Sequence, residues 1–292
     1  MNDRLFQAAG FLATSFGLIV LAVLLIDVFS DGFGRIDLSF FSSFPSRKPD
    51  QAGIFSAWVG TLWIMFTTAL LAIPIGIGSS IYLEEYAPKN RLTNFIEINI
   101  ANLAGVPSVI YGILGLGVFV RLMKLERSVL AGSMTLALLI LPIIILSTRE
   151  ALRAVPFSIR EGSYALGATK WQTIRNQVLP SAIGNALTGI ILAMSRAIGE
   201  TAPLITIGAL TYIPFLPTNP VSAHKTFPFF SFSFKGFLDP FTVLPIQIFN
   251  WVSRPQKAFL VNAAAGIIVL LAITLLMNAF AIYIRQKSQK RW

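Results

Sequence analysis

The chain has 292 residues, is 55% hydrophobic and only 12% charged, and carries a formal net charge of +10. Soluble domains hold roughly 25% charged residues. Here the apolar residues also fall in long runs, so the composition describes an integral membrane protein rather than a soluble one with a large core. The basic residues lie mainly between and beyond those runs, which argues against nucleic-acid binding. No cysteine is present, so disulfides and thiolate chemistry are excluded, and a single His224, read as a surface-loop residue, cannot build a metal cluster.

Taken in chain order, the apolar runs predict six transmembrane helices at about 7–29, 56–82, 97–120, 129–147, 183–212 and 259–284, an all-α membrane fold. The first run is too long for a signal-peptide core and lacks a small-x-small cleavage site after Val28-Phe29-Ser30, so it is read as a retained helix. With both termini in the cytoplasm, the inside segments 1–6, 83–96, 148–182 and 285–292 hold 12 basic residues in 63 positions. The outside segments 30–55, 121–128 and 213–258 then hold 10 in 80. The bias favours that orientation only weakly.

Pro74 with Gly76 and Gly78, then Pro107, Pro142 and Pro203, interrupt four of the spans, where they serve either bundle packing or a polar path. Segment 213–258 holds seven prolines and many phenylalanines. Such a segment forms an ordered cap, a docking face for an external partner, or both. Within it Phe241–Val252 has the pattern of a short helix lying flat at the membrane interface.

Residues 148–182 are polar and helix-prone between two apolar spans. Arg149, Glu150 and Arg153 fall at helical spacing before Pro156. Glu161–Thr169 predicts a second short helix bent at Gly167, and Lys170–Val178 a third that stops before Pro180. Such a knob fits a groove on a soluble partner, with Tyr164, Leu166, Trp171 and Ile174 as anchors, since buried aromatic and apolar anchors dominate interface energetics.

This stretch resembles the E-A-A, three residues, G, nine residues, I-x-L-P loop of the type I ABC importer permeases. Glu161, Gly167, Leu179 and Pro180 fall at the family's spacing. Gly162 and Ser163 keep the small size of the two alanines, and Gln177 departs from the isoleucine. The resemblance implies a core of five helices plus the N-terminal one. It divides the chain into 1–55, a transport domain at 56–284 with coupling loop 148–182 and periplasmic segment 213–258, and a tail at 285–292. It also implies that Glu161, Tyr164, Ala165, Gly167, Trp171, Leu179 and Pro180 couple to a cytoplasmic ATPase, and it fixes that loop inside.

Arg196 and Glu200 are one helical turn apart and fall in the middle of the predicted fifth span. A charge there costs about 2.5–3.5 kcal/mol on insertion scales, so such residues are rare and usually functional. The pair reads either as an ion pair gluing the bundle or as a path lining in which Arg196 meets an anion. The string Arg196-Ala-Ile-Gly-Glu-Thr-Ala-Pro-Leu204 and the stretch Leu244–Gln256 resemble one of the two permease subunits of bacterial phosphate importers. That resemblance implies half of a heterodimeric pore in the bacterial inner membrane. Its partners would be a sister permease, an ATPase dimer, a periplasmic phosphate-binding protein and membrane lipid. Arg196, Glu200 and Thr201 would lie on the phosphate path, with no cofactor or metal. The chain has no GxxxxGK[ST] loop, so ATP must act through a partner. A secondary transporter or channel, or an importer of another oxyanion, are the competing expectations.

Overall fold

The computed structural model describes residues 3–218, 221–223, 230–232 and 234–288; His224 and the end of the expected tail lie outside them. Helix α1 (Asp3–Gly32) opens the chain, followed by the short α2 (Leu38–Ser42) and the 27-residue α3 (Phe55–Ile81). α4 (Arg91–Leu103) and α5 (Ser108–Gly115) come next, then α6 (Val129–Arg153), α7 (Phe157–Ala165), α8 (Lys170–Thr173), α9 (Leu179–Gly199) and α10 (Ala202–Ile207). A hairpin of two three-residue strands, β1 (Val221–Ala223) and β2 (Phe230–Phe232), precedes α11 (Lys235–Leu238), α12 (Leu244–Val252) and α13 (Ala258–Ser288).

Five helical stretches are long and apolar enough to cross a membrane, six when the bent pair Arg91–Leu103 and Ser108–Leu122 is counted as one span. The architecture is therefore the expected all-helical membrane fold, with the small hairpin as its one departure among the described residues. Two spans differ in form from the sequence reading. The third is not one rod: α4 and the α5 stretch to Leu122 meet at 105°. Pro107, which lacks an N–H and restricts the residue before it, stands at that corner.

The fifth span runs from Lys170 to Gly199, not 183–212. The helix that begins at Lys170 does not stop before Pro180. Instead a π-helical turn over Ile174–Val178 carries it into α9. A proline clashes with the carbonyl four residues back, and a widened turn relieves that clash.

α3, α6 and α9 pack side by side through Ala72, Ile140, Ile144, Ile190 and Ala193, all buried. Small hydroxyls stitch them together: Ser80 Oγ donates to the carbonyls of Gly76 at 2.7 Å and Ile145 at 3.0 Å. At one end, segment 36–54 folds over the bundle. Arg35 pins it, its Nε donating to Asn262 Oδ1 at 3.1 Å and its Nη2 to the carbonyls of Asp50 and Ala52. Asp37 caps α2 there, and the Phe40 N–H at 2.7 Å, with the Ser39 hydroxyl and Arg35, holds its carboxyl below the ordinary range.

α12, expected as an amphipathic interfacial helix, turns its apolar face into protein. Leu244, Ile246, Gln247 and Trp251 are fully buried, and Trp251 packs against Phe40 at 6.0 Å between ring centres. The apolar face finds protein, because 36–54 and α13 cover it.

The bent third span and the break after α9 meet. α5 packs on α10, and a Cβ built on Gly112 would sit 2.7 Å from Pro203 Cα and 2.9 Å from the Pro203 carbonyl. Gly112→Ala should therefore destabilise the bundle by about 1–3 kcal/mol, the usual cost of overpacking. A lower thermal midpoint in detergent, with an unchanged helical circular-dichroism spectrum, is the expected reading.

Candidate functional site

The polar loop folds as the sequence suggested, into two helices joined at a glycine. α7 ends at Ala165, and Gly167 takes φ +79°, a left-handed cap that suits glycine. Thr169 then starts the next helix with a capping box. Its hydroxyl accepts from Gln172 N–H at 3.3 Å while the Gln172 side chain accepts from Thr169 N–H at 2.8 Å. Ser163, where a plain small residue was expected, shares a 2.8 Å hydroxyl hydrogen bond with Thr173 and so ties the two limbs.

Between the limbs lies a hollow of about 430 Å³ walled by Gly162, Ser163, Gln172 and Gln177 among others. Gln177 is exposed there, so an amide in place of isoleucine leaves no buried polar group. Leu166 is 90% exposed, and Trp171 and Tyr164 are exposed beside it. Phe157, missed as an anchor, is exposed too. Ile174 is fully buried and cannot be an anchor, because it faces inward from the π-turn. Glu161, Ala165 and Gly167 are exposed, while Leu179 and Pro180 are half-buried within the continuous helix rather than at a stop.

Beside the knob, ion pairs that sequence reading did not find lace the end of the bundle, one from Arg160 on α7 and the others from Arg149 and Arg153 at the end of α6. Arg160 Nη2 meets Glu85 Oε1 at 2.7 Å. Arg149 Nη2 meets Glu97 at 2.7 Å and Glu84 at 3.4 Å, and Arg153 Nε meets Glu84 at 2.8 Å. The partners are 52 to 75 residues apart in the chain, beyond any local spacing rule. The adjacent acids Glu84-Glu85 at the end of an apolar run were the one available signal.

Beyond the knob, α9 ends at Gly199, and Glu200 and Thr201 form a break before α10. Arg196 thus stands in the last turn of its helix, where the aligned carbonyl dipoles favour a cation. Its Nε lies 3.2 Å from Glu200 Oε1. Among the described residues that is its only hydrogen bond, so both Nη groups keep their donors. The side chains are 43% and 18% exposed. Thr201 sits in the break with its hydroxyl 3.5 Å from the Gly199 carbonyl, too far for a firm hydrogen bond. Pro203 opens α10, where its missing N–H costs nothing.

At the end of the bundle opposite the knob, a hollow of about 580 Å³ is lined by Ser46, Arg47, Lys48, Gln51, Tyr212 and Arg254. Arg254 is held in place by Asn250 Oδ1 at 3.2 Å and by the Phe259 ring at 4.3 Å. No carboxylate lines this hollow.

A multi-span bundle with an exposed, ordered knob at one end and a broken polar helix inside is the build of a transport subunit. The family described as binding-protein-dependent transport system inner membrane component matches residues 72–290, and this chain belongs to it. It is a multi-pass permease subunit of an ABC importer and not a catalytic enzyme.

The probable ABC transporter permease protein YqgI of Bacillus subtilis (strain 168) is 31% identical over 260 residues, 86% of each chain. The phosphate transport system permease protein PstA 1 of Mycobacterium tuberculosis (strain ATCC 25618 / H37Rv) is 29% identical over 290 residues, 97% of this chain and 88% of that one. Among solved structures, a bacterial ABC transporter involved in the import of the acidic polysaccharide alginate superposes with a TM-score of 0.61 at 14% identity. It covers 98% of this chain and 100% of that one. The inward-facing MetNI methionine ABC transporter gives 0.57 at 16% identity, covering 79% and 92%. At those identities the likeness is one of fold.

Proposed function

We propose that this chain forms half of the pore of an ATP-driven importer of inorganic phosphate. Its sister permease completes the pore, an ATPase dimer docks on the 161–180 knob, and a periplasmic phosphate-binding protein delivers the anion. Both termini face the cytoplasm. Residues 1–55 supply the N-terminal helix and a periplasmic segment, and 56–284 the transport domain. Loop 148–182 is its coupling loop and 213–258 its outer segment, with a tail beyond 285. Relatives that carry the name of phosphate permeases over nearly the full length support the cargo.

The observation that carries this reading is Arg196 at the helix break. A half-exposed i, i+4 ion pair contributes only about 0.3–0.5 kcal/mol as glue. With its Nη donors free, Arg196 instead offers the planar fork that suits a phosphate oxyanion. Glu200 moderates the grip so that the anion leaves, and Thr201 lines the same break. The cation-rich hollow around Arg47, Lys48 and Arg254 at the far end suits the arrival of an anion. ATP-driven closure of the ATPase pair on the knob rocks the spans between outward- and inward-facing states.

Uptake of labelled phosphate into vesicles bearing the complete importer tests the cargo. Phosphate uptake that excess sulfate and molybdate leave untouched is expected, and preferential uptake of either competitor would overturn the assignment. A finer expectation concerns selectivity. A carboxylate accepts a hydrogen bond from protonated phosphate and repels fully ionised sulfate. Glu200→Gln should therefore slow phosphate uptake and narrow its preference over sulfate. Unchanged rates for both anions would remove Glu200 from the path.

A further inference from the structure

We infer that the Glu84–Glu85 dipeptide and Glu97, gripped by Arg149, Arg153 and Arg160, form the strut that carries movement of the knob to the second and third spans. The inference rests on the coupling role proposed for the 161–180 loop. The knob is joined through the chain to α6 and α9, and Leu152, Val155, Val178 and Ala182 pack it against them. No stretch of chain joins it directly to α3 or α4. The link to those helices runs through the Arg160–Glu85 pair, the Lys170 ammonium 4.9 Å over the Tyr86 ring, and Ile81 of α3, which packs on the same apolar cluster as Ile159 of α7.

Arg160 belongs to α7 itself. Its guanidinium reaches Glu85 through Nη2 at 2.7 Å and Nε at 3.3 Å, and also donates to the carbonyls of Leu152 at 3.1 Å and Val155 at 2.9 Å. One side chain thus binds the knob, the end of α6 and the end of the second span. Arg160 and Glu85 side chains are only 11% and 8% exposed. Removing one member of a buried pair strands the other charge, so the joint favours staying closed over stretching. A guanidinium fork is also planar and stiff, unlike a lysine tether.

Glu84 and Glu85 lie in a π-helical turn over Tyr82–Tyr86. A widened turn brings neighbouring side chains closer in direction, so consecutive acids face one arginine cluster. Arg149 extends the contact to Glu97 on α4, the first limb of the bent third span. The second limb, α5, packs on α10 beside the break that follows Arg196. The buried Nε of Arg149 has no hydrogen-bond partner among the described residues. The lattice is therefore one bond short of full satisfaction at Arg149.

The test uses the complete importer with its binding protein in proteoliposomes. Glu85→Gln and Glu97→Gln keep shape and acceptor but remove charge. Each should assemble normally and keep basal ATP hydrolysis. Stimulation of hydrolysis by the loaded binding protein, and phosphate moved per ATP, should each fall about tenfold, within the range of ordinary coupling free energies. Glu85→Asp should recover part of the loss.

The chain has no cysteine, so spin labels can be placed at Ser158 on α7 and Asn94 on α4 without removing native thiols. In the otherwise unaltered importer their separation should stay constant through the ATP cycle. A separation that changes between nucleotide states, or Glu85→Gln and Glu97→Gln importers with normal stimulation and transport, would overturn the strut. If Trp171 variants also kept normal stimulation, the coupling role of the loop would fail instead.

Discussion

Phosphate uptake in Arg196→Ala is expected to fall to background while the complex assembles and hydrolyses ATP. At the break between α9 and α10 the two Nη groups of the arginine make no hydrogen bond among the described residues. A hydrogen bond to a charged group is worth about 1.5–3 kcal/mol, roughly 10–100-fold in rate, and here two Nη groups go at once. Arg196→Lys keeps the charge but loses the fork and should remain strongly impaired. The alternative, a pair that only glues helices, predicts a modest fall in thermal midpoint and normal uptake. Labelled-phosphate uptake beside a thermal unfolding scan separates the two.

The second large effect is expected at the knob. Leu166 and Trp171 present apolar surface that nothing in the chain covers, on a frame fixed by the Gly167 cap and the Thr169 capping box. If a cleft of the ATPase receives it, Leu166→Asp places a charge in that cleft, and Trp171→Ala empties it. Anchors of this kind are worth about 2 kcal/mol or more, so the ATPase should bind at least roughly 30-fold more weakly to each variant. Co-purification and titration in detergent measure this. Neither change should alter the fold, because both side chains face solvent.

The spans and the knob were legible because each rests on local pattern. An apolar run of 20 or more residues and a glycine at a turn announce themselves within a few positions. Arg196 and Glu200 stood out because charge is rare in such runs. The features missed depend on residues far apart or on backbone adjustments without a composition signature. Glu85 and Arg160 are 75 positions apart. The 105° corner at Pro107 and the passage of a helix through Pro180 both follow a proline, yet one breaks the helix and the other does not. Pro74 and Pro142 are likewise carried within continuous helices, so a proline alone does not say where a span bends. Ile174 looked like an anchor by hydrophobicity alone, and the inward turn of the same π-segment buried it. α12 was placed at an interface because its amphipathic pattern cannot say whether lipid or protein covers the apolar side.

The unbroken run from Lys170 to Gly199 has a mechanical consequence. At 1.5 Å per residue, Arg196 lies about 30 Å along the axis from the π-turn at Ile174–Val178. A swing of about 5° about that turn sweeps the guanidinium through roughly 2.6 Å at this arm length. Hydrogen bonds weaken steeply over such a distance. If an ATPase docks at the knob and Arg196 meets the anion, a small rocking at one end would be amplified into the making or breaking of that contact, with α9 as a lever pivoting where its hydrogen-bond ladder is already loosened.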